Sequence, residues 1–215
     1  MLALLNNFVA PYNRIVLDCK SNTSYLLIEK CGTQSLLDLT ARYPEQFKLL
    51  TLEKFLQNGQ ETLTVFIREP IGRYISGIKT QIKIYQIPEH VFKFWLTSTN
   101  NKMLPMVDSH TMPQFWFLLR FGLNSKIKFN FVELSGINKV HKDIQHLNIT
   151  SPRQFDFLDK DSLAKIDYAM TEDIVLYNQF LGKTTTVAKI ISRISEEENF
   201  FAEANQYKQI VPYIN

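Results

Sequence analysis

The stretch Tyr25 to Leu37, YLLIEKCGTQSLL, limits what this chain can fold into more than any other. An apolar run, Tyr25 to Ile28, ends at Glu29-Lys30. A short turn follows, Cys31-Gly32-Thr33-Gln34-Ser35, and an apolar helical pattern opens at Leu36. Strand, tight loop and helix in that order aim backbone N–H groups, and the positive end of the helix, at one spot beyond the strand. A phosphate is the usual occupant of such a spot. Gly32 allows the turn and the close approach of an anion. Lys30 adds a mobile positive charge, and Thr33 and Ser35 add hydroxyl donors. The loop is not that of the nucleoside triphosphatases, because no G-x-x-x-x-G-K-[ST] is present and the lysine precedes the glycine. Taken alone, the pattern also fits a plain strand-to-helix turn with a solvated lysine.

A second constellation lies in VFIREPIGRYISG, Val65 to Gly77. Thr62 to Arg68 is a continuous β-branched and apolar run, expected to be a central, parallel strand. Pro70 sits where a helix begins. Ile71, Ile75, Ile78, Ile82 and Tyr85 recur on one helical face, with Arg73, Ser76 and Thr80 roughly opposite. Arg68 would stand at the carboxyl end of the strand, where ligands of open α/β sheets lie. A guanidinium and a hydroxyl, Arg68 and Ser76, make a phosphate clamp. The competing reading is a strand-end arginine paired with a surface carboxylate.

The rest of the chain fits around these two units. Arg14 to Cys19 and Gln46 to Leu50 read as short strands. Thr51 would cap a brief helix closed by Asn58-Gly59. Glu89 to Leu96 reads as a short aromatic helix, Thr97 to Thr111 as loops, and Lys126 to Glu133 as a strand. Lys139 to Leu147 and the long stretch Asp161 to Leu181 read as helices, the latter stopped by Gly182. A final helix is expected over Thr184 to Asn199, with the tail folding back through Tyr207 to Tyr213. The expected fold class is therefore α/β, a central parallel sheet with right-handed crossovers flanked by helices, and residues 1–215 are read as one domain.

Composition removes several classes of function. A net charge of +3 gives no case for broad electrostatic binding of nucleic acid. Cys19 and Cys31, the only cysteines, make no disulfide framework, so a reducing setting is expected. No Cys/His cluster has zinc spacing. No run approaches the ~20 apolar residues that span a bilayer, and the opening MLALLNNFVAP is too short and polar for a secretory signal. A cytoplasmic protein, of microbial or viral type, is the expectation. The patterns at Asn22 and Asn148 that fit glycosylation then read as coincidence.

The two motifs together resemble those of the sulfotransferase family that uses 3′-phosphoadenosine-5′-phosphosulfate. Lys30 to Ser35 is similar to that family's 5′-phosphosulfate loop, K-x-G-T-[TS]-[ST] after a strand. Arg68 to Ser76 is similar to its 3′-phosphate motif, R-[DN]-P-x-x-R-x-x-S. Lys30, Gly32, Thr33, Leu36, Leu37 and Pro44 resemble the layout of the carbohydrate, Golgi-type branch. His110-Thr111-Met112-Pro113-Gln114 resembles an H-x-x-P-Q element of a related branch, and Asp167-Tyr168 through Asp173 to Tyr177 resembles its late helix. Glu69 replaces the usual Asp or Asn, and Gln34 a common Thr.

The resemblance implies a P-loop-like sulfotransferase fold, a sulfated nucleotide as donor and adenosine 3′,5′-bisphosphate as product. The acceptor would be a hydroxyl or amine of a carbohydrate or small metabolite, with no metal required. Lys30 would neutralise charge on the bridging oxygen. Backbone amides of Cys31, Gly32, Thr33, Gln34 and Ser35, with the Thr33 and Ser35 hydroxyls, would hold the 5′-phosphate, and Arg68 and Ser76 the 3′-phosphate. Glu53 or His110 would be the general base. Phe92 to Trp95 and Met112 to Phe121 are either core or acceptor lining. Cys31 lacks a nearby histidine and reads as loop packing rather than a nucleophile. The competing functions are a kinase-like phosphate transferase and a nucleotide-bisphosphate-binding module without turnover.

Overall fold

The computed structural model describes residues 14–98, 109–119, 121, 126–144 and 158–196. Over these the elements run β1 (Ile15–Asp18), β2 (Thr23–Leu26), α1 (Thr33–Arg42), β3 (Phe47–Leu50), α2 (Leu52–Gln57), β4 (Thr62–Ile67), α3 (Pro70–Tyr85), α4 (Glu89–Ser98), α5 (Gln114–Leu119) and β5 (Lys128–Glu133). A 3-10 turn (Leu134–Lys139), α6 (Lys160–Ala169), α7 (Thr171–Phe180), β6 (Thr184–Thr185) and α8 (Val187–Glu196) complete them. The architecture is α/β, a six-stranded sheet in the order β3-β1-β2-β4-β5-β6 flanked by helices.

The sheet is mixed rather than parallel. β2, β4 and β5 run parallel, as expected of strands joined by helical crossovers. β1 is antiparallel to both β2 and β3, and β6 is antiparallel to β5. For β1 and β2 the physical reason lies in the connection: residues 19–22 form only a tight turn, and a parallel pair needs a crossover of a dozen residues or more.

The registers bring the functional ends together. Ile15 pairs with Leu26 of β2 and with Leu50 of β3, Leu26 pairs with Val65, and Ile67 with Glu133. The carboxyl ends of β2, β3, β4 and β5 therefore share one edge of the sheet. Adjacent strands are about 5 Å apart, so the chain leaves β2 and β4 as near neighbours.

Other differences from expectation have local causes. The apolar periodicity from Asp161 to Leu181 continues across a break at Met170, which divides the stretch into α6 and α7. Thr184 and Thr185 join the sheet instead of opening a helix, and α8 begins at Val187. Between Lys139 and Ile144 no α-helix forms; the 3-10 turn gives way to turns there. Residues 99–108, 145–147 and the tail from Tyr207 to Tyr213 lie outside the described residues. Thr51 caps α2 as expected, its side chain accepting from the Lys54 amide.

Two apolar clusters form the interior. The larger packs the sheet against α1, α5, α7 and α8. The smaller gathers Tyr74 and Ile78 of α3 with Phe92, Leu96, Ile166 and Met170, and the rest of the isoleucine stripe packs around it. The stripe thus faces helices α4 and α6. The opposite side of α3 is also buried, and it is polar: Arg73, Ser76 and Gln81 are all at most 3% exposed. No helix of the described residues is long and apolar enough to cross a membrane.

Candidate functional site

The first turn is built from backbone geometry. Lys30 and Gly32 both adopt left-handed φ, 66° and 85°, which glycine takes freely and lysine does not. The Cys31 amide closes the turn on the Ile28 carbonyl at 3.0 Å, and the first amide bonded within α1 is that of Leu36, to Gly32. No side chain caps the helix, whose first-turn amides have no acceptor within the helix itself. The Cys31 amide, one of those expected to hold a phosphate, is therefore already bonded within the turn. The Thr33 hydroxyl donates to the Ile28 carbonyl at 2.7 Å. Its one proton ties the helix to the strand, so Thr33 offers its amide rather than its hydroxyl. Ser35 is buried, and Gln34 is exposed. Gly32 also lies beneath the 3-10 turn, where a Cβ would collide with Ile137.

The second turn is arranged differently. Glu69 caps α3, its carboxylate accepting from the Ile71 and Gly72 amides at 2.9 and 2.6 Å. That helix start already holds an anion of its own chain. Arg68 is half-buried directly after β4, and Ser76 is buried two turns into α3. Any phosphate bound here would meet side chains, not a ring of amides.

A third segment joins the two, and composition gave no hint of it. Gln114, fully buried at the start of α5, accepts from the Arg68 amide at 2.9 Å and from the Cys31 thiol at 3.1 Å with one oxygen. Its nitrogen donates to the Arg68 carbonyl at 2.9 Å and to Asp173 at 3.4 Å. Asp173 also accepts from the Gln114 and Phe115 amides at 2.7 and 2.8 Å. Arg73, fully buried, donates to the Glu29 carbonyl at 3.1 Å, to Met112 at 2.5 Å and to Ser109 at 3.4 Å.

Burial raises the Asp173 carboxyl above its ordinary value, while the Arg73 charge and the Phe115 and Gln114 amides pull it back. Burial also pushes the Cys31 thiol up to about 11; Arg73 opposes the rise, Asp173 adds to it and Arg68 opposes it. A thiol so protonated is a packing and hydrogen-bonding group, as its sequence context suggests.

The two base candidates approach from different sides. Glu53 is exposed in the first turn of α2, on the shared edge but separated from β2 by β1, about 10 Å sideways. His110 lies half-buried in the turn before α5. Its carbonyl sits over Gly77, where a Cβ would collide with it, so this turn rests on α3 beside Ser76. Lys30, Gly32, Arg68, Ser76 and His110 thus belong to three segments stitched together by Gln114 and Arg73, and Glu53 stands apart.

Sequence reasoning named Gln114 only as part of a motif and missed Asp173 as its partner and Arg73 as the holder of the segment leading into it. A signal was present: an acid and an arginine set among apolar helical neighbours, Asp173 between Met170 and Leu176, and Arg73 between Ile71 and Ile75. No protein-family model matches the chain, and no curated protein or solved structure matches it either.

Proposed function

We propose that the chain is a sulfotransferase with a P-loop-like fold, of the kind its two motifs resemble. It would move a sulfuryl group from 3′-phosphoadenosine-5′-phosphosulfate to a hydroxyl or amine of a carbohydrate or small-molecule acceptor. One observation carries the reading: the turns after β2 and β4 leave the same sheet edge on neighbouring parallel strands and share the Gln114 carboxamide oxygen.

The residues fit such a donor. The uncapped start of α1 presents amides and the positive helix end to a 5′-phosphate. Arg68 and Ser76 would hold a 3′-phosphate, the group that separates this donor from ATP. When bound, the donor supplies an activated sulfuryl group whose transfer resembles phosphoryl transfer in resting on positioning and charge stabilisation. Lys30 neutralises charge on the departing side. Glu53 or His110 takes the acceptor proton. Glu53→Gln and His110→Ala separate these roles: the variant that loses transfer while still binding adenosine 3′,5′-bisphosphate identifies the base.

Titration calorimetry without magnesium tests the donor assignment. Adenosine 3′,5′-bisphosphate should bind more tightly than ATP or 5′-AMP, and Arg68→Ala should weaken it roughly tenfold or more, as expected for a lost charge-assisted contact. Equal affinity of wild type and Arg68→Ala would remove the 3′-phosphate clamp. Binding without transfer to any acceptor would favour the non-catalytic module.

A further inference from the structure

We infer that Gln114, supported by Asp173 and Arg73, is a positioning residue that sets the spacing between the two anion-binding turns, so that the site selects a ligand by the separation of its two phosphates. The inference rests on the donor reading above but concerns residues that need touch no ligand.

The Gln114 carboxamide behaves like a peptide group added to the sheet. The β4 ladder ends at Ile67, and the next residue, Arg68, is bracketed at both N–H and C=O by one side chain instead of by a strand. All four hydrogen-bonding positions of the carboxamide are used: two accepted bonds, from Arg68 and Cys31, and two donated, to Arg68 and Asp173. A side chain held at four points cannot rotate without breaking several bonds at once, and Gln114 is fully buried. Its oxygen fixes the backbone that carries the Arg68 guanidinium relative to the residue next to Lys30. Arg73 repeats the connection from the other side. It holds the carbonyl of Glu29, immediately before the left-handed Lys30, and the carbonyls of Ser109 and Met112, which lead into Gln114. Arg68 is thus held through its own backbone by Gln114, and Lys30 through its two neighbours, Glu29 by Arg73 and Cys31 by Gln114.

The test compares selectivity, not affinity alone. Adenosine 3′,5′-bisphosphate, 5′-AMP and 3′-AMP are titrated into wild type, Gln114→Met, Cys31→Ala and Cys31→Ser. Gln114→Met keeps the volume and removes the carboxamide. Cys31→Ala cuts only the link to the first turn, and Cys31→Ser restores a donor there. In Gln114→Met the preference for the bisphosphate over 5′-AMP should fall about tenfold, with 5′-AMP itself changed less than about threefold. Cys31→Ala should lose part of the preference and Cys31→Ser regain it. Should Gln114→Met fail to fold, the cysteine pair gives the same reading. A uniform loss for all three ligands, or an unchanged preference in folded variants, would overturn the inference while leaving the donor assignment in place. Absence of any preference in wild type would remove both.

Discussion

The two strand-to-helix turns look alike in sequence and differ in how they are finished. The turn after β2 bends through two left-handed residues and leaves the start of α1 without a side-chain cap. The turn after β4 uses ordinary geometry, places Pro70 at the helix start and fills that start with its own Glu69 carboxylate. On the proposed reading, the first would receive an anion on backbone amides. The second is closed to that use and can offer only side chains, Arg68 and Ser76. An aligned pair of glycine- and proline-marked turns is therefore not a pair of equivalent phosphate cradles, and the lone capping residue decides which kind each becomes.

The largest effect expected from this difference is chemical. Lys30→Ala should slow sulfuryl transfer by about 10²- to 10³-fold, the range seen when one charge-stabilising group is lost, while adenosine 3′,5′-bisphosphate still binds. Single-turnover rates beside calorimetry would check it. A variant that lost binding and kept its rate on saturation would make Lys30 a mere anchor and erase the functional contrast between the turns.

Next in size is a packing effect on the segment that joins the two turns. A Cβ at Gly77 has no room against the His110 carbonyl, which is backbone and cannot rotate aside. Gly77→Ala should cost about 1–3 kcal/mol, the usual range for overpacking, read as a lower Tm. It should also weaken the bisphosphate more than 5′-AMP, because the displaced turn carries Gln114. Gly32→Ala meets the movable end of Ile137 instead and is strained chiefly by its backbone angle.

How much of this was legible depended on how local each signal was. Thr51 as a cap, Pro70 at the start of α3, the β-branched run of β4 and the glycine turn after β2 are decided by a few neighbouring residues, and each was readable. Strand direction was not: four-residue strands such as β1 and β3 carry no mark of the partner they choose. The periodicity of Met170, Ile174 and Tyr177 hides the break at Met170, after which α7 buries Val175 and Leu176 in the larger cluster while α6 buries Ile166 in the smaller. The network of Gln114, Asp173 and Arg73 was least visible of all. Its members are 41 residues or more apart in sequence, and what makes them a unit is burial and hydrogen bonding across three segments.

The attachment of the first turn to the second can be probed by pH. Unfolded, the Cys31 thiol ionises near its ordinary value of 9.0, and folded near about 11. Below 9 both states keep the proton, and the stability contribution is complete. Between about 9 and 11 the unfolded chain gives up a proton that the folded chain retains, so stability falls as pH rises. Cys31→Ser should show a shallower alkaline decline in denaturant midpoint across that window. At pH 8 a thiol reagent should modify exposed Cys19 and spare buried Cys31 until denaturant is added. Rapid modification of both would mean that the Cys31–Gln114 link opens readily.

The smallest effect bears on the contrast most directly, because it asks whether the Glu69 cap is what closes the second turn to amide binding. Glu69→Gln removes the charge but keeps an acceptor for one amide, whereas Glu69→Ala removes charge and acceptor together. Any gain in affinity from relieving like charge near a bound phosphate is common to both variants and is weak at an exposed position in physiological salt. The alanine variant should lose about 1 kcal/mol of stability, as helix caps usually do. If the second turn holds its phosphate through Arg68 and Ser76, the two variants should bind adenosine 3′,5′-bisphosphate equally, within about twofold in a calorimetric titration. If the alanine variant bound it much more tightly than the glutamine one, the freed amides of Ile71 and Gly72 would be receiving the phosphate. The two turns would then be the same kind of site, one of them held shut by a single carboxylate.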